Sequence, residues 1–483
     1  MMTTGVTSFK YVPAMSTKNL LRAFYNFLLI LTFLFTASCL NTGMNDRVSD
    51  GLTVSSDGHS LMKNGKPFFW LGDTGWLILK ETPENIDTYF GNRKKNGFNV
   101  IQIMVTRRMF NDEEFQPDYR GDLPFESLDP VKLNEEYFTH LDEVVKLAEK
   151  HDLFLAMVPF WGYNLDQVIS ADKPENAYEL GRQLGKRYRN YSNIIWIVCG
   201  EYQLIAWDTV KNKPDSDPDD RELNLIDNLA RGIENGSRGK SLMTIHPDSY
   251  RSSSEYLHDA DWLDFNLVQS FTIREDTEFD IISDYRRMPY KPTLLSEPGY
   301  ENGWGKHTAF ELRYEGYHSV LNGGCGYTFG CEGIWTFREG WQKWLDSEGT
   351  LQMTHLRNLF ESRPMMHRVP APDLITGCPG DWVKRTKMAA AIDDGGAYAF
   401  VYFPADTIQA EIRISEISGK QAGASWFNPR DGKTYNNEGE VVKDPFALFP
   451  CDKNQRITFD PPGNNGLKHD WILILDDAEK NFQ

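Results

Sequence analysis

The sequence predicts a (β/α)8 TIM barrel followed by a small all-β sandwich, and three features carry that expectation. Eight short apolar segments rich in β-branched residues alternate with helical patterns over about 310 residues, the count of a closed barrel. No glycine-rich phosphate loop follows any of the eight, which puts a doubly wound open sheet second. Beyond Pro364 the texture changes to clustered prolines and short alternating strands, the pattern of a sandwich. At 483 residues the chain has room for two or three domains with a sizeable core.

Residues 1–39 read as a targeting segment. Lys18 and Arg22 precede an apolar run, Phe24 to Phe35, too short to span a bilayer comfortably; Met15 would serve equally well as the start. Thr36-Ala37-Ser38 then lead into Cys39, as at a bacterial lipoprotein cleavage site. Cys39 is therefore expected to become a lipidated first residue, anchored outside the cytoplasm in the periplasm or at the cell surface of a Gram-negative bacterium. An ordinary secretory signal with an incidental cysteine is the alternative. Residues 40–51 are polar and read as a tether.

The barrel is expected over residues 52–370. It opens with a hairpin, signalled by Ser56-Asp57-Gly58 and Lys63-Asn64-Gly65-Lys66. Its strands are expected at Phe68–Gly72, Val100–Val105, Phe154–Val158, Ile194–Cys199, Leu242–His246, Leu263–Val268, Thr293–Ser296 and Gly326–Gly330. The first helix starts at Thr82-Pro83, a cap and first-turn pair, and ends at Gly97. The others are expected near Glu135–Lys150, Asn176–Asn190, Asp219–Glu234, Phe279–Arg287, Phe310–Leu321 and Leu351–Glu361. The sandwich, residues 373–483, carries strands at Ala397–Phe403, Ala410–Ile414, Ala424–Phe427 and Trp471–Leu475.

In such barrels the carboxyl ends of the strands hold the functional groups. Glu201 closes the fourth apolar run and Glu297 the seventh. A carboxylate at the edge of a low-dielectric core must be paired or take up a proton more readily. Two of them on different strands supply what glycosidic bond cleavage requires: one protonates the leaving oxygen and the other stabilises the sugar cation. Capping a helix or pairing with an arginine would be the structural alternative for either. The remaining strand ends offer Asp73 and Trp76, Arg107, Trp161 with Tyr163 and Asn164, His246, Gln269, Tyr300 with Glu301, and Trp335 as substrate-binding candidates. Asp73 would hydrogen-bond a sugar hydroxyl, and Arg107 could grip a carboxylate or a vicinal diol. A carboxyl separation of about 5–5.5 Å would give retention of configuration, and about 6.5–9.5 Å inversion.

A net charge of -18 argues against a nucleic-acid partner. The five cysteines after Cys39 match no zinc spacing and are odd in number, so neither a metal, another cofactor nor an essential disulfide is expected. The expected partner is an oligosaccharide or polysaccharide, with membrane contact only through the lipid anchor and a monomeric chain.

Several motifs resemble the apiosidase-like glycoside hydrolases, glycoside hydrolase family 140. They are Phe69-Trp70-Leu71-Gly72-Asp73-Thr74-Gly75-Trp76, Asn99-Val100-Ile101-Gln102, Ile195-Trp196-Ile197 through Glu201, and Glu297-Pro298-Gly299-Tyr300-Glu301. The likeness continues through His355-Leu356-Arg357 and Glu361-Ser362-Arg363-Pro364 to Trp426-Phe427-Asn428-Pro429-Arg430-Asp431-Gly432. It implies an acid/base at Glu201, a second catalytic carboxylate at Glu297, and exo-removal of apiose from pectin side chains. One departure stands out: Cys199-Gly200-Glu201 replaces a family Gly-Gly-Asp, which moves the carboxyl by one methylene. The family's second domain is labelled collagen-binding, but a buttress for the barrel fits residues 373–483 better. The rival readings are a non-catalytic glycan-binding lipoprotein and a lyase acting on uronic acid chains with Tyr300 or His246 as base.

Overall fold

The computed structural model describes residues 51–482 apart from 108–113, 127–128, 130, 163–164, 166–168, 170–172, 205–206, 209–212, 215–216, 274–276, 304 and 378. The targeting segment with Cys39, the tether up to residue 50, Tyr163 and Asn164 lie outside the described residues.

A three-stranded antiparallel meander, Leu52–Val54, Leu61–Lys63 and Lys66–Phe68, leads into the barrel. The barrel strands are β1 (Trp70–Thr74), β2 (Val100–Met104), β3 (Phe154–Val158), β4 (Ile194–Ile197), β5 (Met243–Thr244), β6 (Asn266–Gln269), β7 (Thr293–Glu297) and β8 (Gly326–Phe329). They pair in parallel in the order β5-β4-β3-β2-β1-β8-β7-β6. The seam between β5 and β6 is bridged by Asp264 N donating to Met243 O (2.9 Å) and Thr244 Oγ1 donating to Phe265 O (2.6 Å).

Among the described residues, seven helices of ten or more residues cover the outside: α1 (Pro83–Lys95), α2 (Glu135–Lys150), α3 (Pro174–Tyr188), α4 (Asp220–Ser237), α5 (Thr277–Arg286), α6 (Ala309–Leu321) and α7 (Glu348–Glu361). Between β5 and β6 lies a single helical turn, Ser254–Leu257, where the sequence pattern predicts no helix. Thr82 caps α1 by accepting from Asn85 N, and Asp219 with Glu222 forms a capping box on α4. Between α3 and α4, glycines four residues apart on each helix (Gly181 and Gly185, Gly232 and Gly236) let the backbones touch. A Cβ at Gly181 would lie 2.3 Å from Leu229 O.

Strand periodicity splits the barrel into two cores. Trp70, Val100, Met104, Ala156, Ile195 and Leu294 fill the inside, and Leu71, Ile101, Ile103, Met157 and Leu295 face the helices. That parity corrects the expectation for Asp73. β1 runs to Thr74 instead of stopping at Gly72, so Asp73 lies within the strand and shares the outward face of Leu71. There it is fully buried, ion-paired to Arg93 of α1 and accepting from Tyr89 Oη (2.6 Å).

In the C-terminal region the main sheet carries β9 (Ala389–Asp393), β10 (Tyr398–Ala405), β11 (Gln421–Asn428) and β12 (Leu467–Asp477), paired antiparallel in the order β9-β10-β12-β11. Alternation again gives two faces. Phe400, Tyr402, Ile472 and Ile474 join the core around the barrel helices, whereas Val401, Phe403, Trp426 and Leu473 pack beneath a three-stranded sheet. The docking is also ionic. Arg313 of α6 donates to both oxygens of buried Asp470 on β12 (3.0 and 2.6 Å), which also accepts from Tyr402 Oη (3.2 Å) and Arg430 Nη1 (3.3 Å). Arg313→Met strips the main cation from a buried carboxylate and is expected to lower unfolding stability by about 3 kcal/mol. The urea midpoint checks this: an unchanged midpoint would leave apolar packing alone to hold the sandwich.

Candidate active site

The chain leaving β4 is laid down tightly. Gly200 N donates to Phe160 O (2.9 Å), Gly162 N to Gly200 O (2.6 Å) and His246 N to Cys199 O (2.9 Å). The indole of Trp161 lies against Gly200, where a Cβ would fall 2.3 Å from the ring. From that seat Trp161 Nε1 donates to Glu201 Oε2 at 2.6 Å. Glu201 adopts φ +43°, a left-handed conformation that costs a non-glycine residue about 1–2 kcal/mol. Its carboxyl is thus held by neighbours against the local preference of the backbone.

Glu297, at the end of β7, is 9 % exposed. Its Oε1 accepts from Tyr300 Oη and from Trp76 Nε1 (3.3 Å), and Trp76 Nε1 also donates to Tyr300 Oη (2.7 Å). Its Oε2 faces His246 Nε2 at 3.2 Å. His246 Nδ1 lies 2.9 Å from Pro247 O, a carbonyl that can only accept, so Nδ1 carries the proton and Nε2 presents its lone pair to Glu297. The main chain behind Glu297 is pinned as well. Ser270 N donates to Glu297 O (3.0 Å), while Ser270 Oγ donates to Glu315 Oε1 (2.7 Å) from α6. Inside the barrel, Gln102 Nε2 crosses from β2 to Ser296 O (2.9 Å).

The aromatic groups form one wall. Trp76 meets Trp161 edge to face (5.1 Å between centroids) and His246 likewise (5.7 Å); Tyr300 meets Trp335 at 6.1 Å. With water displaced by rings, the ionised forms of both carboxyls are disfavoured. Burial pushes Glu201 up to about 8, helped by the charges of Asp248 and Glu297. Burial pushes Glu297 up to about 7, against the lowering effect of the Tyr300 and Trp76 donors, with Asp248 again raising it. Burial lowers His246 to about 4, so the imidazole is neutral near pH 7. Asp248 itself is raised by burial.

Of the residues singled out in the sequence, Glu201, Glu297, Trp76, Trp161, His246 and Tyr300 come together in this cluster, and Gln269 joins it by a side-chain hydrogen bond to Glu201. Trp335 flanks it with its Nε1 on Glu332 (3.0 Å). Arg107 follows β2, half-buried, and its charge is felt by Lys80 and Tyr137. Glu301 is a correction. Instead of facing a substrate, its carboxylate accepts from Ser347 Oγ (2.6 Å) and Gly349 N (2.9 Å), capping α7. Asp248 escaped the sequence reading although His246-Pro247-Asp248 sits at a strand end. Extending each strand end by two residues would have found it. The indole donors of Trp76 and Trp161 had no sequence signal, because an indole reads as core or sugar platform until its Nε1 is seen.

The family description "Apiosidase-like, catalytic domain" matches residues 55–367, and "Putative collagen-binding domain of a collagenase" matches residues 369–476. A solved structure described as a glycoside hydrolase is 27% identical, with a TM-score of 0.75, over 90% of this chain and 99% of its own. A glycoside hydrolase family 5 protein from Bacteroides vulgatus ATCC 8482 is 25% identical, with a TM-score of 0.76, over 90% of this chain and 95% of its own. No curated protein matches the sequence.

Because a methyl at position 200 collides with the Trp161 ring, Gly200→Ala is expected to displace the indole at a cost of about 1–3 kcal/mol. Thermal unfolding and tryptophan emission would report it, and unchanged values for both would show that Trp161 does not rest on Gly200.

Proposed function

As the chain belongs to the apiosidase-like family and is a glycoside hydrolase, we propose that it is exo-acting and removes a terminal sugar, apiose by family likeness, from pectin side chains of the plant cell wall. Glu201 serves as general acid and base, and Glu297 as the ionised partner. The observation that carries this reading is the unequal surroundings of two carboxyls in one aromatic-walled pocket. Glu201 is opposed by two other carboxylates, which favours its protonated form. Both carboxyls accept from two donors, but Glu297 is opposed by Asp248 alone, so it is the more readily ionised of the pair.

In the first step Glu201 gives its proton to the glycosidic oxygen as the carbon–oxygen bond breaks. Glu297, ionised throughout, stabilises the positive charge that develops at the anomeric carbon. Water then adds to that carbon and returns a proton to Glu201. His246 stays neutral with Nδ1 tied to Pro247, so its Nε2 lone pair faces Glu297 Oε2 and gives that oxygen no donor while Glu297 is ionised. In this reading Trp335, Gln269 and Arg107 contact the bound sugar. The C-terminal domain acts as a buttress, because its apolar sheet face and Asp470 are consumed by the barrel helices.

Glu297→Gln should fold normally and lose several orders of magnitude in sugar release from mixed pectic oligosaccharides, followed by mass spectrometry. Turnover near that of the parent would remove Glu297 from the mechanism. Glu201→Gln should slow substrates with poor leaving groups far more than activated aryl glycosides, which need no proton. The pH dependence has a defined sign. Activity falls as pH rises through about 8, where Glu201 loses its proton, and falls as pH drops through about 7, where Glu297 gains one. Asp248→Asn removes one repelling charge and should move the alkaline limb to lower pH; a stationary limb would rule Asp248 out as the cause.

We also propose that Cys39 is lipidated and tethers the enzyme outside the cytoplasm, on the strength of the Thr36-Ala37-Ser38-Cys39 sequence after a short apolar run. Cys39→Ser should abolish incorporation of labelled palmitate and move the protein from the membrane fraction. Unchanged fractionation would favour an uncleaved or ordinary secretory signal.

A further inference from the structure

The rim of the pocket carries an aromatic pair on backbone that suits neither ring. Tyr250 follows β5 at φ +64° and Phe271 follows β6 at φ +55°. Glycine or asparagine occupies this left-handed region readily, whereas a bulky side chain is disfavoured there. Burial does not repay Phe271, which is 39% exposed. The two rings meet edge to face, 6.1 Å apart at 89°, and Tyr250 Oη shares a hydrogen bond with Thr272 Oγ1 (2.8 Å).

Both residues are tied to the strand ends that hold the carboxyls. Tyr250 N donates to Gln269 O (2.8 Å), and Phe271 N approaches Glu297 O at 3.4 Å. Asp248, whose charge reaches both glutamates, lies two residues before Tyr250. The strained pair is therefore fixed directly beside the pocket, with Phe271 partly open to solvent. Backbone outliers of this kind persist where the side chain has a use that local preference does not serve.

We propose that Phe271, braced by Tyr250, is the platform of a second sugar subsite that holds the ring next to the one being cleaved off. The assignment rests on the exo-hydrolase reading of Glu201 and Glu297. A pocket that takes one terminal sugar leaves the rest of the chain at its rim, so the occupant is a sugar of the leaving-group side. A pyranose presents a face of C–H groups, and a rigid aromatic ring covers such a face with little loss of side-chain freedom.

The test uses the full-length protein, a pool of pectic oligosaccharides, and the glycosyl fluoride of whichever sugar the parent enzyme releases. The fluoride leaving group offers no ring to stack. Phe271→Asn, which suits the left-handed backbone, should lower kcat/KM for the oligosaccharides at least tenfold more than for the fluoride. Phe271→Tyr should retain most of the oligosaccharide activity, and the melting temperature of Phe271→Asn should stay within about 3 °C of the parent. Equal losses on both substrates, or none on either, would overturn the subsite. Binding separates this outcome from failure of the hydrolase reading. If the parent releases no sugar, that reading fails, and titration of Glu297→Gln with the same oligosaccharides, with and without Phe271→Asn, still decides the platform. Weaker binding in the double variant supports it and equal binding removes it.

Discussion

Holding two carboxyl groups a few residues from the hydrophobic interior of a barrel is the constraint around which the rest of this structure is arranged. An ionised carboxylate in such a place loses solvation that only donors or opposite charges can replace. The structure supplies neither a lysine nor an arginine to Glu201 or Glu297 among the described contacts. It supplies indole and phenol donors, an imidazole lone pair and a third carboxylate. Weak compensation of this kind leaves both groups easy to protonate, a condition that full ion pairing would abolish. The contrast with Asp73 is instructive. That carboxylate, one layer further out, is given Arg93 and Tyr89, and so serves only to bind β1 to α1.

Precision at the pair is obtained by overriding local backbone preference. Glu201 itself, and Tyr250 and Phe271 at the rim, all sit at positive φ without being glycine. Each is locked by hydrogen bonds from adjacent strand ends, so the barrel's ladder carries the strain. Gly200 does the opposite work: with no Cβ, it lets the Trp161 indole close over the chain and reach Glu201. Rigidity of this kind limits the reorganisation needed when charge moves between substrate and protein.

The same economy governs the C-terminal sheet. One face completes its own sandwich and the other is absorbed into the barrel's outer core, with Arg313 and Asp470 setting the register between them. α6 carries both Arg313 and Glu315, and Glu315 reaches Glu297 through Ser270. A single helix thus connects the domain contact to the chain behind Glu297.

Much of this was legible in the sequence, because it depends on periodicity and on which residue types end the apolar runs. The barrel, the sandwich, Glu201 and Glu297 follow from that, and Glu135–Lys150 and Phe154–Val158 were placed to the residue. What the sequence alone did not determine was orientation. Asp73 faces the helices because β1 continues through it to Thr74, so the strand's alternation puts it on the face of Leu71 and not at the open strand end. Glu301 was misplaced because the N-terminus of α7, 46 residues away, competes for its carboxylate. The donors of Trp76 and Trp161, the proximity of Asp248 and the tautomer of His246 are products of contacts between distant strands. Pattern along a chain records burial; which atoms meet across a barrel is decided only when the sheet closes.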